Sequence, residues 1–177
     1  MLIKVISGGQ TGCDRAGLEA GRKAGLLTGG WCPLGFMTSE GADLSLSVDF
    51  GLKELPGGTS LSQMYVMRSM KNVDESDGTV AFRMKPSLGT DKTIGYCLKK
   101  RWSDFKDDQF DDPSYKPCLM ISHLDESCVD DIVAFVSEFN IRVLNIAGHR
   151  SSESAGVEGF SKKVEDILFK AFTKCKN

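Results

Sequence analysis

Residues 2–16 read LIKVISGGQTGCDRA, a short apolar run that leads into a glycine-rich turn. The pattern is typical of a buried strand over 2–6 followed by a turn that opens a helix. The first turn of a helix has backbone N–H groups without an intrahelical partner, and the helix dipole adds partial positive charge there. Glycine lets the backbone approach a phosphate because no Cβ intervenes. A single turn of this kind indicates either an anion site or a tight turn without a ligand.

Apolar runs and segments of helical periodicity alternate along the rest of the chain. Buried strands are predicted over 2–6, 26–31, 79–84, 118–122 and 142–147. Helices are predicted over 14–24, 62–72, 90–100, 127–139 and 156–174. Several of the strands are apolar without alternation, as occurs where both faces of a parallel sheet are covered. The alternation predicts an α/β fold built from βαβ units around a parallel sheet.

The bulk properties favour one soluble domain over residues 1–177. The 177 residues are 41% hydrophobic and carry a formal net charge of −2, which argues against a nucleic-acid-binding protein. No apolar run reaches the ~18–20 residues that span a bilayer, and the start of the chain lacks the features of a signal peptide. Six scattered cysteines and two histidines show no zinc-site spacing, so no metal is expected. We expect a cytoplasmic protein with reduced thiols.

Two segments interrupt the alternation. Residues 32–61 are rich in Gly, Ser and Pro, and residues 102–117 form an acidic stretch. Long irregular loops in compact domains are often functional, although plain surface loops also occur. We expect a lid or rim of a binding site for 32–61 and a solvated surface loop for 102–117.

Two further loops share the chemistry of the first. Small and hydroxyl-bearing residues follow the strands predicted over 79–84 and 142–147, and each of these loops precedes a helix. In an open α/β sheet such loops lie along one edge, where ligands bind. A helix N-terminus contributes about 0.3–1 kcal/mol to a nearby anion, and a charge-assisted hydrogen bond about 1.5–3 kcal/mol. The candidate phosphate-binding residues are Gly8, Gly9, Gln10, Thr11, Gly12, Gly89, Thr90, Gly148 and Arg150.

Two carboxylates near these loops have more than one interpretation. Asp14 would repel a phosphate bound beside it, so it is expected to accept a hydrogen bond from a ligand, to hold Mg²⁺, or to cap the first helix. Asp77 precedes a strand, where Asp-Gly is an ordinary turn. Arg15 is expected to form ion pairs on the first helix rather than to contact a ligand.

Several motifs resemble one known family. They are Ser7-Gly8-Gly9-Gln10-Thr11-Gly12-x-Asp14-Arg15-Ala16, Gly29-Gly30-Trp31-Cys32-Pro33-x-Gly35, Tyr65-x-x-Arg68, Asn72-Val73-x-x-Ser76-Asp77-Gly78-Thr79, Gly89-Thr90 and Asn145-x-Ala147-Gly148-x-Arg150. Together these motifs look like the molybdenum-cofactor carrier family, a circularly permuted Rossmann-like branch of the superfamily that includes the LOG proteins. The resemblance implies a Rossmann-like three-layer sandwich, a homo-oligomer (dimer or tetramer), and a pocket for a phosphorylated nucleotide or pterin. His149 stands where the family usually has proline, and Ala155 stands where it usually has the proline of a Pro-Gly pair.

Three functional hypotheses remain open at this stage. The first is a binder or carrier of a phosphorylated heterocycle, with molybdenum cofactor (molybdopterin) as the family-based candidate and Trp31 or Tyr65 stacking on the ring. The second is a LOG-like hydrolase of nucleotide N-glycosidic bonds, with Asp14 or Asp77 as the catalytic carboxylate and Arg68 stabilising charge. The third is a scaffold without a ligand.

Overall fold

A parallel sheet forms the centre of the protein. The computed structural model describes residues 1–57, 60–98, 116–151 and 158–176. The strands of the sheet are β1 Lys4–Ser7, β2 Leu27–Cys32, β5 Leu52–Glu54, β6 Gly78–Phe82, β7 Cys118–Ile121 and β8 Val143–Gly148. They pair in parallel in the order β5-β2-β1-β8-β6-β7. A separate antiparallel pair consists of β3 Met37–Thr38 and β4 Gly41–Ala42.

Helices cover both faces of the sheet. They are α1 Cys13–Lys23, α2 Ser45–Val48, α3 Leu61–Asp74, α4 Leu88–Cys97, α5 Ser127–Glu138 and α6 Phe160–Lys176. Helix α6 packs against both α1 and α5 in one layer, and α3 packs against α4 in the other. This arrangement confirms the Rossmann-like three-layer fold. None of the helices in the described ranges is long and apolar enough to cross a membrane.

The main core lies between the sheet and the layer formed by α1, α5 and α6. It is built from fully buried strand residues such as Val5, Leu144 and Ile146, packed against apolar residues of the three helices. Helix α1 approaches the sheet closely because it has a glycine at position 17: a Cβ there would lie 2.8 Å from Cβ of Ile146. This close packing fixes the height of α1, and therefore of its N-terminus, above the strand ends.

Residues 32–57 contain more regular structure than the sequence pattern predicts. They supply β3, β4, α2 and the edge strand β5, none of which was predicted. They also form a second core cluster in which Leu46, Phe50 and Leu52 pack with Leu18 and Cys32. Local propensity misses these elements because short strands and one-turn helices depend on tertiary packing. The role of this segment as a lid or rim stays a prediction.

The predicted acidic loop falls almost entirely outside the described residues. Only Lys116 and Pro117 of 102–117 are described. Lys116 N–H donates to the carbonyl of Cys97 (3.2 Å), and the carbonyl of Pro117 accepts from the N–H of Thr79 (2.9 Å). These two bonds join the start of β7 to the end of α4 and to β6.

Candidate functional site

Three neighbouring strands end at one edge of the sheet, and the loops singled out by the sequence follow them. Loop 1 (residues 8–12) follows β1, loop 2 (residues 83–87) follows β6, and loop 3 (from residue 149) follows β8. Strand β8 lies between β1 and β6, so the three loops are adjacent. A cleft of ≈ 190 Å³ opens between these strand ends and helices α3 and α4. The residues lining it are Gln10, Asp14, Tyr65, Val66, Arg68, Ser69, Met70, Asn72, Ser87, Gly89, Thr90, Lys92, Thr93, Asn145, Ile146, Ala147, Gly148 and Arg150.

The glycines of loop 1 are explained mainly by internal packing. Gly9 has φ +72°, and a Cβ on it would lie 2.7 Å from a methyl group of Leu46. Gly12 has φ +99°, and a Cβ on it would lie 2.6 Å from the backbone nitrogen of Ser151. A non-glycine residue at either position would combine an unfavourable φ with a steric overlap. At these two positions the missing Cβ makes room for other parts of the protein rather than for a phosphate.

Hydrogen bonds tie loop 1 to loop 3. The N–H of Cys13 donates to the carbonyl of His149 (3.1 Å), and the N–H of Ser151 donates to the carbonyl of Thr11 (3.2 Å). The Ser151 hydroxyl also donates to the hydroxyl of Thr11 (2.9 Å). Thr11 and Gly12 therefore join two loops and do not line the cleft.

Asp14 and Arg68 form a buried ion pair in the cleft. Nη1 of Arg68 lies 2.9 Å from Oδ2 of Asp14, and the two side chains are 12% and 5% exposed. The N–H of Gln10 also donates to Oδ2 of Asp14 (3.3 Å). The N-cap of α1 is Gly12, without a side-chain cap, so Asp14 does not cap the helix. The positive charge of Arg68 compensates the negative charge of Asp14, which would otherwise disfavour an anion beside loop 1.

The guanidinium of Arg68 lies directly over loop 1. A Cβ on Gly8 would overlap Nη1 of Arg68. Within the described residues, Nε of Arg68 is buried and has no hydrogen-bond partner. An unsatisfied buried N–H of this kind costs about 1–3 kcal/mol. Arg68 is thus held on one nitrogen by Asp14 and retains donor capacity on another.

Loop 2 presents the N-terminus of α4 to the cleft. Gly89 and Thr90 lie in the first turn, and a Cβ on Gly89 would meet nothing within 4 Å. Asp91, in the same turn, forms an ion pair with Arg83. The hydrogen bond from Arg83 lowers the pKa of Asp91 below its ordinary value, with a further contribution from the positive charge. The charge of Asp91 is thus compensated by Arg83, and the space beside Gly89 in the same turn is open to a ligand.

His149 connects loop 2 to loop 3. The residue is 1% exposed, and Nε2 accepts from the N–H groups of Met84 (3.0 Å) and Lys85 (3.3 Å). Proline, the usual family residue here, offers no such acceptor. His149 therefore gives the first residues after β6 a hydrogen-bond partner in loop 3.

Arg150 and Tyr65 face each other at the cleft. The guanidinium carbon of Arg150 lies 4.7 Å from the centre of the Tyr65 ring. This is a cation–π geometry, which contributes about 0.5–2 kcal/mol. Arg150, predicted to bind phosphate, and Tyr65, predicted to stack on a ligand ring, are therefore in contact with each other.

Two candidates from the sequence lie elsewhere. The Trp31 indole donates to Oε2 of Glu75 (2.8 Å) and its ring is next to Lys71, so it does not line the cleft. Asp77 lies at the opposite edge of the sheet, where its carboxylate accepts from the N–H of Val143 (2.8 Å) at the start of β8. The Asp77 carboxylate therefore lies at the opposite end of the strands from the loops that form the cleft.

Arg15 is also placed differently from the expectation. It forms an ion pair with Asp43, in the segment of 32–57, rather than with a residue of α1. Its guanidinium lies 5.0 Å from the centre of the Phe50 ring. The contact fastens α1 to the second core cluster.

Several lining residues were not among the candidates. Asn145 is 3% exposed and donates to the hydroxyl of Thr79 (3.1 Å), and Lys92 adds a third cation to the cleft. Asn72 is buried and bonds the backbone N–H and carbonyl of Trp31 (2.8 and 3.0 Å). A buried polar residue in an apolar strand was the available signal for Asn145. Lys92 has no signal in the sequence, because helix orientation decides which lysine faces the cleft.

The fold and the cleft define a class: an α/β Rossmann-like protein with a cationic cleft at the carboxyl edge of its sheet. The model of the circularly permutated YpsA SLOG family matches residues 5–169. The chain therefore belongs to this family, within the superfamily expected from its motifs. No curated protein sequence matches the chain.

One solved structure is similar over almost the whole chain. It is the crystal structure of a protein from Syntrophus aciditrophicus SB titled "Putative molybdenum carrier protein". The two chains are 30% identical, with a TM-score of 0.74 over 97% of this chain and 94% of the other. The similarity supports the family assignment and the fold.

Proposed function

We propose that the cleft binds a phosphorylated heterocyclic small molecule, in a carrier or storage role. The observation that carries the proposal is Arg68, a largely buried arginine that lines the cleft and whose Nε–H has no partner among the described residues. A phosphate oxygen is the strongest acceptor for such a group, because the resulting hydrogen bond is charge-assisted. Asp14 holds the guanidinium in place for this contact.

The charge of the cleft supports an anionic ligand. Three cationic side chains line it, from Arg68, Lys92 and Arg150, against the single carboxylate of Asp14 among the described residues. The N-terminus of α4 adds partial positive charge beside the open face of Gly89. A phosphate bound there would contact side-chain cations and backbone N–H groups together.

The remainder of the lining supports a planar, partly apolar ligand body. Val66, Met70 and Ile146 provide apolar surface, and Tyr65 provides an aromatic face. We expect Tyr65→Leu to weaken binding of GMP, a phosphorylated purine, by about tenfold, as loss of an aromatic contact of about 1.4 kcal/mol would give. Trp31→Leu is the matched control, because Trp31 lies outside the cleft. Equal weakening by both variants, measured by calorimetry, would contradict the stacking role of Tyr65.

Molybdenum cofactor is the candidate cargo implied by the family resemblance of the motifs, and the similar structure is titled a putative molybdenum carrier protein. The phosphate end of such a pterin fits the cationic lining. The metal end finds no thiol, since no cysteine is among the described lining residues. The metal would therefore have to be carried by the pterin itself, while this chain holds the phosphate and the ring.

Native mass spectrometry of freshly purified, anaerobically handled protein tests the proposal. An added mass that is lost on denaturation and matches a phosphorylated pterin or nucleotide is the expected result. Arg68→Lys, which keeps the charge but removes Nε, should lose that mass or retain less of it. If no phosphorylated pterin or nucleotide copurifies and none binds in calorimetry at millimolar concentration, the proposal is wrong.

A second candidate is a hydrolase of nucleotide N-glycosidic bonds. It is favoured by one observation, that the carboxylate of Asp14 lines the cleft beside Arg68. A panel of nucleoside monophosphates assayed for free base tests it. Base released by the wild type and not by Asp14→Asn would replace the carrier proposal with this one.

We also propose that the protein is a cytoplasmic homo-oligomer, a dimer or a tetramer. Exposed apolar side chains on α3 and α4 support self-association: Leu61 is 39% exposed, Met67 45% and Leu88 76%. The same native mass spectra give the number of subunits. A monomer at micromolar concentration would exclude the oligomer.

A further inference from the structure

A cluster of three metal-ligating side chains lies in the turn between β7 and α5. It consists of His123, Asp125 and Cys128, whose ligand atoms all lie within 4.8 Å of one another. Nε2 of His123 is 3.8 Å from Oδ1 of Asp125. Sγ of Cys128 is 3.5 Å from the carbonyl oxygen of His123, which places the sulfur directly beneath the turn.

We propose that this cluster binds a divalent cation of the zinc type. Imidazole nitrogen, thiolate sulfur and carboxylate oxygen are the donors that zinc prefers, at about 2.0–2.3 Å. Donor atoms at these distances in a tetrahedron are roughly 3.3–3.8 Å apart. For a nitrogen–oxygen pair the expected separation is about 3.3–3.6 Å, so the 3.8 Å between His123 and Asp125 is slightly too long; the two side chains are 47% and 63% exposed. Small rotations of both can therefore complete the geometry, with water at the fourth position.

The charge balance of the proposed site is favourable. Binding replaces the proton on the Cys128 thiol with the metal and releases that proton to solvent. Cys128 lies in the first turn of α5, where the helix dipole stabilises a thiolate. One thiolate and one carboxylate together neutralise the divalent charge.

Asp125 also has a structural role, which the test must separate from metal binding. Its Oδ1 accepts from the N–H (2.9 Å) and the hydroxyl (2.6 Å) of Ser127 at the start of α5. Asp125→Asn keeps an acceptor oxygen for these bonds but removes the negative charge. Its melting temperature should therefore stay close to that of the wild type while metal affinity falls.

The experiment uses the full chain, without an affinity tag, reduced and stripped of metal. Co²⁺ is titrated by absorption and Zn²⁺ by calorimetry in two buffers of different ionisation enthalpy. We expect one equivalent of metal, a thiolate-to-cobalt charge-transfer band, and release of about one proton per metal at neutral pH. His123→Gln and Asp125→Asn should each weaken binding by at least about tenfold, since losing an outer-sphere partner alone costs 10–100-fold.

Two cysteine variants complete the design. Cys128→Ser should abolish the charge-transfer band, whereas Cys175→Ser, a half-buried thiol at the end of α6, should leave it unchanged. If Cys128→Ser does not fold, the exposed His123→Gln decides the result. Absence of the band in the wild type, or unchanged affinity in His123→Gln, would overturn the proposal. The cluster lies beside the α5–α6 layer and away from α3 and α4, so this result is independent of ligand binding in the cleft.

Discussion

Arg68→Met removes the guanidinium from the cleft while keeping a side chain of similar length. The wild-type pair is 2.9 Å long and its side chains are 12% and 5% exposed, so the substitution leaves the Asp14 carboxylate buried without its cation. Breaking a buried ion pair in this way costs about 3–5 kcal/mol. The N–H of Gln10 still donates to Asp14, which places the expected loss near the lower limit, about 3 kcal/mol.

The stability effect is measured by urea unfolding in a double-mutant cycle. Arg68→Met/Asp14→Asn removes the uncompensated charge, so it should be more stable than Arg68→Met alone. The coupling between the two positions should be about 1–3 kcal/mol, as expected for residues in direct contact. If the two substitutions change the free energy of unfolding additively, the ion pair does not stabilise the two buried groups.

The effect on binding is separate from the effect on stability. Loss of one charge-assisted hydrogen bond, about 1.5–3 kcal/mol, should weaken binding of GMP by roughly 10–150-fold. Arg68→Lys is the sharper variant, because it keeps the charge and removes the Nε donor. Arg142→Met, at an exposed arginine on the opposite edge of the sheet, is the matched control. Wild-type affinity in Arg68→Lys, measured by calorimetry on folded protein, would refute the role of Nε.

Three further predictions concern the loops around the cleft. Gly12 and Gly159 both have positive φ, but only a Cβ on Gly12 would also overlap neighbouring backbone. We expect Gly159→Ala to lower the free energy of unfolding by about 1 kcal/mol, and Gly12→Ala by at least about twice as much. Equal losses, measured by urea unfolding, would contradict this. His149→Phe removes the acceptor of the two N–H groups that follow β6, so hydrogen exchange at these amides should accelerate while amides in the middle of β8 keep their protection. Arg83 lowers the pKa of Asp91 in the folded state. The ion pair therefore stabilises the protein fully at pH values above the pKa of Asp91 in the unfolded chain, about 4. This stabilisation is lost as the pH falls from there through the lower pKa of Asp91 in the folded state. Arg83→Met should remove this pH dependence from urea unfolding, and an unchanged slope would count against it.

The five strands predicted from apolar runs are present, with ends shifted by at most two residues. They could be predicted because strands buried on both faces are continuous in the sequence. The edge strand β5 could not, since its three residues have no distinctive pattern and are held by pairing with β2 and by the second core cluster. Short elements of this kind are decided by tertiary contacts.

The location of the cleft follows from the sequence more directly than its chemistry does. The parallel sheet brings loops 1, 2 and 3 to one edge, and the strand order β1-β8-β6 makes them adjacent. The roles of individual residues were harder to predict. Gly9 and Gly12 are required by close contacts within the protein. Asp77 accepts a hydrogen bond from the N–H of Val143 at the opposite edge of the sheet.

By itself, the sequence determined the class of fold and the three loops that meet at one edge, because periodicity and turn residues are local properties of the chain. The tertiary structure alone decided which charged groups share the cleft. Arg68 is 54 residues from Asp14 in the chain and reaches it because α3 crosses β1 and β2 on the face of the sheet away from α1. That crossing is set by side-chain packing between distant segments, which fixes the partner of a buried charge.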